Sequence, residues 1–284
     1  MLRTLVVVGV GSWSLLAFAA RPATAQPAGE FMTLDRADDE SRLGAFLGIL
    51  HVEDTDLDEG ALRLELHGQY LGDSGLGVYG AVPIHQIFLD DADDETALAS
   101  IEVGGLMVRR IAPGQELALR AGVTLPTASD SLEGAIANVV GSQTRITDLV
   151  QAIPDLITAR VGGSLLGGIP GLVYRVDAGL DIPVASTDDD VEIQRDPLLR
   201  LNGAVGMGVL GAGTLAFELV NVIATGDEDN SLSESTLTSA GVSLGVALAG
   251  AHVQGGLFLS VDSVFEDDFE QGLITFALAA SKAF

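Results

Sequence analysis

Three arginines, Arg120, Arg160 and Arg175, and four acids, Glu65, Glu116, Asp177 and Glu218, fall on the polar side of segments whose residues alternate apolar and polar. Guanidinium and carboxylate groups in such positions do one of two things: they pair with each other, or they meet a charged solute. The histidines His51, His67, His85 and His252 are the candidates for proton transfer or metal ligation. His252 has no acidic residue within nine positions, and no Ser–His–acid arrangement is evident. His67 and His85 share a polar face on neighbouring segments. A turn centred near Asp73 sets His67 opposite Tyr79, about 20 Å along the hairpin from His85, too far for a shared metal. There is no cysteine, hence no thiolate site and no disulfide framework. The acidic runs Asp90-Asp91-Ala92-Asp93-Asp94-Glu95 and Asp188-Asp189-Asp190 could attract divalent ions, but they lack the ligand-and-glycine spacing of a calcium loop and read first as solvated charge. No cofactor is implied and no enzyme is expected.

The elements that carry these residues repeat. Twelve candidate strands run over 42–52, 61–70, 76–88, 98–110, 115–125, 157–165, 171–183, 198–209, 213–224, 236–248, 251–262 and 271–284. In 61–70, Leu62, Leu64, Leu66 and Tyr70 share one face, and Arg63, Glu65, His67 and Gln69 the other. In 115–125, Leu117, Leu119, Val123 and Leu125 oppose Glu116, Arg120 and Thr124. In 171–183, Leu172, Tyr174, Val176, Leu180 and Ile182 oppose Arg175, Asp177 and Asp181. The connections alternate between short Gly-rich turns and long acidic loops. The six long ones hold 28 of the 40 acidic residues. Short turns on one side and long loops on the other are the pattern of a transmembrane barrel, with strand lengths suited to a bilayer. Ser235 to Val261 has no charge and could be mistaken for a membrane helix. Its glycines, its period of two and the break at Ala249-Gly250-Ala251 predict a hairpin.

Composition agrees. The mean hydropathy of +0.39 and the net charge of -26 are reconciled when apolar residues line lipid and acids fill the loops. So acidic a chain repels nucleic acid. Residues 1–25, with Arg3, an apolar stretch from Thr4 to Ala20 and Ala23-Thr24-Ala25, read as a cleaved signal peptide. Residues 26–41 read as an N-terminal periplasmic linker, and 42–284 as the barrel. The expected fold is all-β: a transmembrane antiparallel up-and-down β-barrel of about 12 strands with a short helix in one extracellular loop.

By parity, Arg120, Arg160 and Arg175 project into the lumen from three consecutive strands, at similar heights counted from the turns. They either form a basic stripe on one wall or pair with Glu116, Asp177 and Glu65. Ser239, Gly241, Ser243, Gly245, Thr275, Ala277, Ala279 and Ser281 make the last strands small on the inside. In the loop 126–156, Ala135, Ile136, Val139 and Val140, then Ile146, Leu149, Val150 and Ile153, recur at helical spacing. Asp130 or Ser131 caps that helix, with Glu133 in its first turn. The loop either folds into the mouth of the barrel or packs on its rim.

The last residue, Phe284, is preceded on the same face by Leu278, Phe276 and Ile274. This terminus resembles the assembly signal of bacterial outer-membrane β-barrel proteins, porin-like transporter barrels among them. Ala121-Gly122-Val123-Thr124-Leu125-Pro126-Thr127 is similar to a strand end of those transporters. Lys282 departs from the pattern, and the aromatic girdle is thin: Tyr70, Tyr174, Phe217 and Phe284 below, Phe88 above. The resemblance implies export to the outer membrane, contact with its lipid, handling by the barrel-insertion machinery and passive passage of small solutes. The alternative it leaves is a non-conducting structural or surface-interaction barrel.

Overall fold

The computed structural model describes residues 31–34, 38–51, 60–88, 94–187, 196–209, 213–225, 236–248, 250–260 and 273–284. Strands with one apolar face must pair every edge to survive in a bilayer, and these do so by closing a ring. They are β1 (Arg42–His51), β2 (Ala61–Leu71), β3 (Leu76–Ile87), β4 (Glu95–Leu98), β5 (Ile101–Ala112), β6 (Gln115–Leu125), β7 (Leu156–Ile169), β8 (Leu172–Ser186), β9 (Leu198–Val209), β10 (Gly213–Ala224), β11 (Thr236–Leu248), β12 (Ala251–Ser260) and β13 (Ile274–Ala283). Pairing is antiparallel throughout, and β1 joins β13 to close the ring. β4 and β5 lie end to end against β3, so they form one interrupted stave and the barrel has 12. The strand expected at 98–110 is therefore split. Pro83 lies opposite the break and has no N–H for the ladder. Ala99 donates to the Pro83 carbonyl at 3.1 Å, while the Ser100 N–H turns inward to the Gln151 carbonyl at 2.8 Å.

The β2–β3 hairpin corrects one expected register. His67 faces Ala81, and Tyr79 faces Gln69, because the turn is centred one residue beyond Asp73. The shift follows from Gly75, whose φ of +78° sets the turn. His85 lies opposite Arg63, about 14 Å along the strand from His67. The charge-free run forms the expected hairpin, β11 and β12, with Leu248 opposite Ala251.

Side chains sort by parity. Leu66, Phe217, Leu219, Leu244, Phe276 and Leu278 lie on the outside, each between 47 and 57% exposed. A continuous apolar belt on the outer face is the surface that lipid covers. The inner face is polar and buried, the reverse of a water-soluble globule. No helix among the described residues is long and apolar enough to cross a membrane.

Candidate functional site in the barrel lumen

The connection between β6 and β7 begins as the expected helix, α1 (Leu132–Ser142). Ser131 caps it, its hydroxyl accepting from the Gly134 N–H at 3.1 Å, and Glu133 sits in the first turn. Its buried face is not the apolar one. Gly134, Ala137, Asn138, Gly141 and Ser142 are buried, while Leu132, Ile136 and Val139 are exposed. Small residues allow close approach: a Cβ on Gly141 would lie 2.5 Å from the His85 ring. His85 Nδ1 and Asn138 Oδ1 are 3.0 Å apart, and the Asn138 amide donates to the Leu98 carbonyl at 3.2 Å.

Beyond α1 the chain enters the lumen as a 3-10 segment, Gln143–Ala152, almost wholly buried. It bends out of helical geometry at Arg145 and Asp148, the two residues that carry its charge. Asp148 is the hub. It pairs with Arg63 of β2 at 2.9 Å, with Arg160 of β7 at 3.2 Å and with its own neighbour Arg145. Arg63 also pairs with Glu65 and donates to Gln151 at 3.0 Å. Arg160 pairs with Glu102 and, at 3.1 Å, with Asp181; it also donates to the Thr147 carbonyl at 2.6 Å. Asp181 takes Arg200 at 2.9 Å. Glu102 accepts from Gln151 at 3.0 Å and from the Tyr79 hydroxyl at 2.9 Å. Four arginines thus meet four carboxylates in one connected network, and charges this deep are tolerable only when so paired.

A second segment lies against β9, β10, β12, β13 and β1. Phe31, Met32, Thr33 and Leu34 lie within the stretch read as a periplasmic linker, yet none is more than 4% exposed. Phe31 and Leu34 pack with Ala204, Ala216, Val220, Val222 and Ile146; Met32 packs with Phe46, Phe258 and Ala277. Glu218 of β10 accepts from the Met32 and Thr33 N–H groups at 3.1 and 2.8 Å, from the Thr33 hydroxyl at 2.7 Å and from Ser243 at 2.8 Å. The two segments bond to each other. Arg145 donates to the Met32 and Leu34 carbonyls at 3.3 and 2.5 Å, and Thr147 to the Thr33 carbonyl at 3.1 Å.

The sequence-derived lumen arginines and acids face inward, but not as one stripe. Arg120 lies level with Gly162, Arg160 level with Asp181, and Arg175 level with Leu166. Arg160 and Arg175 are therefore about 20 Å apart along the ladder, not at one height. β7 runs on to Ile169 through residues expected in the turn, so Arg160 lies farther from the Pro170-Gly171 turn than a count from 166 gives. Arg160 belongs to the Asp148 network. Arg175 bonds Asp177 at 2.7 Å and Ser164 at 3.0 Å. Arg120 lines a cavity of about 40 Å³ with Arg42, His67, Gln69, Tyr79 and Glu102, beside Arg145 and Asp148 of the inserted loop. Of the acids, Glu65 pairs with Arg63, Asp177 with Arg175, and Glu116, near the short turns, with the exposed Arg110 at 3.5 Å. Glu218 has only hydrogen-bond donors on it. Phe276, Leu278 and Phe284 all point outward. The signal peptide and Asp188, Asp189 and Asp190 lie outside the described residues. Parity alone could have placed Glu102 and Arg200 in the lumen. Nothing local marks Arg145 and Asp148, which read as ordinary loop charges.

No family model and no curated protein matches the chain. Solved structures do. A KdgM porin aligns with 86% of this chain and 99% of its own, at 9% identity and a TM-score of 0.51. An outer-membrane channel of the COG4313 group from Pseudomonas putida F1 aligns with 87% of this chain and 97% of its own, at 10% identity and a TM-score of 0.51. This chain shares their closed antiparallel β-barrel fold. A third match is CymD, a monoaromatic hydrocarbon channel, with 88% of this chain and 90% of its own, at 10% identity and a TM-score of 0.50. The KdgM porin is also known in complex with oligogalacturonate. The cargoes of these barrels differ widely, so the shared architecture carries the lumen and leaves its lining to each chain.

Proposed function

We propose that this protein is a passive channel for small solutes in the bacterial outer membrane, and that the conformation described is its closed one. One observation carries the reading: the inserted loop is held by ion pairs and hydrogen bonds to the wall, centred on Asp148, rather than by a continuous apolar core. Water and ions can replace such bonds at modest net cost, because each exchanges one polar partner for another. A loop held that way can leave. Arg120, Arg160 and Arg175 then bias passage toward anions, opposed by Glu65, Glu116, Asp177 and Glu218. The chain reaches the membrane through a cleaved leader at 1–25; of the stretch 26–41, expected as a linker, Phe31–Leu34 sit in the lumen. Phe276, Leu278 and Phe284 serve as the assembly signal for the insertion machinery. Phe276 and Leu278 face outward on β13, which closes the ring against β1, and Phe284 is exposed just beyond it, which supports that role. No enzymatic activity is proposed.

Single-channel recording of purified protein in a planar bilayer tests the reading. Low, flickering conductance is expected, rising when Asp148 is replaced. The filled lumen favours a second reading, a non-conducting structural barrel. Silence across salts and voltages, in wild type and Asp148→Ala alike, would select it.

A further inference from the structure

We propose that the lumen contains a peptide-binding site, formed by Glu218, Ser243, Arg145 and Thr147, whose occupant is the chain's own Phe31–Leu34 segment acting as a tethered blocker. The site is recognised by what it binds. Five main-chain groups of three consecutive residues are bonded to side chains: the Met32 and Thr33 N–H groups to Glu218, and the Met32, Thr33 and Leu34 carbonyls to Arg145 and Thr147. This segment adds to no strand. Main-chain recognition with pockets for alternate side chains is how proteins bind extended peptides.

The pockets are present. Phe31 and Leu34 enter one formed by Ala204, Ala216, Val220 and Val222, while Met32 enters another between Phe46, Phe258 and Ala277. Small residues make the room. A Cβ added to Gly256 would lie 2.9 Å from the Met32 sulfur. Among the described residues no arginine or lysine pairs with Glu218, which is held by four neutral donors, so an arriving peptide supplies three of the bonds that keep this carboxylate buried. Leu34 and Arg42, the first residue of β1, are eight positions apart, a reach of at most about 28 Å. A tether that short holds the segment at an effective concentration near the millimolar range, so even weak contacts keep the site filled.

The blocking role rests on the channel reading; the site does not. Because the chain has no native cysteine, Thr33→Cys combined with Ser243→Cys gives a clean cross-link test. Both side chains touch Glu218, one on each carboxylate oxygen, a spacing that a short thiol-reactive cross-linker with a reducible bond spans. That reagent should join them in membrane-inserted, heat-modifiable protein. The cross-linked barrel should stay closed in a planar bilayer, and reduction should raise the current several-fold. Replacing Phe31, Met32 and Leu34 together by Ser should open it similarly, and the peptide Phe-Met-Thr-Leu at millimolar concentration should close it again. Absence of the cross-link in inserted protein overturns the site, whatever the current. A cross-link whose reduction leaves a conducting barrel unchanged overturns the blocker. A cross-link with no current in any variant supports the site and sinks the channel reading instead.

Discussion

The two halves of the lumen wall are built differently. From β2 to β9 the inner face carries Arg63, Glu65, Glu102, Arg120, Arg160, Arg175, Asp177, Asp181 and Arg200. From β10 to β13 Glu218 is the one charged residue among the described inward positions, and its neighbours are Ala216, Ser239, Ser243, Gln254, Ala277 and Ser281. The charged half holds the inserted loop by directional bonds to Asp148. The small half leaves a trough that apolar side chains of the N-terminal segment fill. Charge sets which groups must be partnered, and small volume sets where a second segment fits. One half is expected to fail by losing a partner, the other by losing space.

The largest effect is expected on the charged side. Asp148→Ala leaves Arg63, Arg145 and Arg160 each short of a carboxylate, and breaking a buried pair of this kind costs about 3–5 kcal/mol. The loop should detach, detected as protease cleavage near 143–152 in membrane-inserted protein. A loop that stays protected would mean the remaining contacts suffice. On the small side, Gly256→Val forces a side chain toward the Met32 sulfur and Phe258, an overpacking of about 1–3 kcal/mol. It should expel Phe31–Leu34 while leaving the loop protected, so proteolysis confined to the N-terminal segment distinguishes the two halves. If both segments are cut together, the halves are not independent.

A smaller change should follow from Arg175→Ser and Arg120→Ser, examined one at a time under a salt gradient. Each is expected to move the reversal potential toward cations, because a guanidinium in a confined lumen is weakly screened. An unmoved potential would leave these arginines purely structural. Ser243→Ala should do least. It removes one of the four donors to Glu218, a loss of about 1 kcal/mol. Only a slight rise in access to Thr33→Cys is expected, and a large one would make Ser243 the principal anchor.

Period and punctuation made the barrel legible before any coordinates. Leu62, Leu64 and Leu66 against Arg63, Glu65 and His67 define an inner and an outer face by geometry that holds for any strand. The glycine turns and acidic loops then order those strands into a ring. Arg120, Arg160, Arg175 and Glu218 could be assigned to the lumen for the same reason, and so could the helix behind Ser131. The height of Arg175 relative to Arg160 is also local: the Pro170-Gly171 turn joins Ile169 to Leu172 and fixes the register, and β7 is longer than a turn at 166–171 allows. Two things were not local. The buried face of α1 is its small one because His85 of β3 leaves no room for a larger side chain at Gly141. Asp148 in the loop carries no sequence mark of burial, and Phe31–Leu34 in the linker carry no mark of where they are buried. An acid in a loop belongs in water by composition, and the apolar Phe31, Met32 and Leu34 favour burial without saying against what. What drew them inside is the company of Arg63, Arg145 and Arg160 in one case and of Glu218 and the small wall in the other, partners that come together only once the ring has closed.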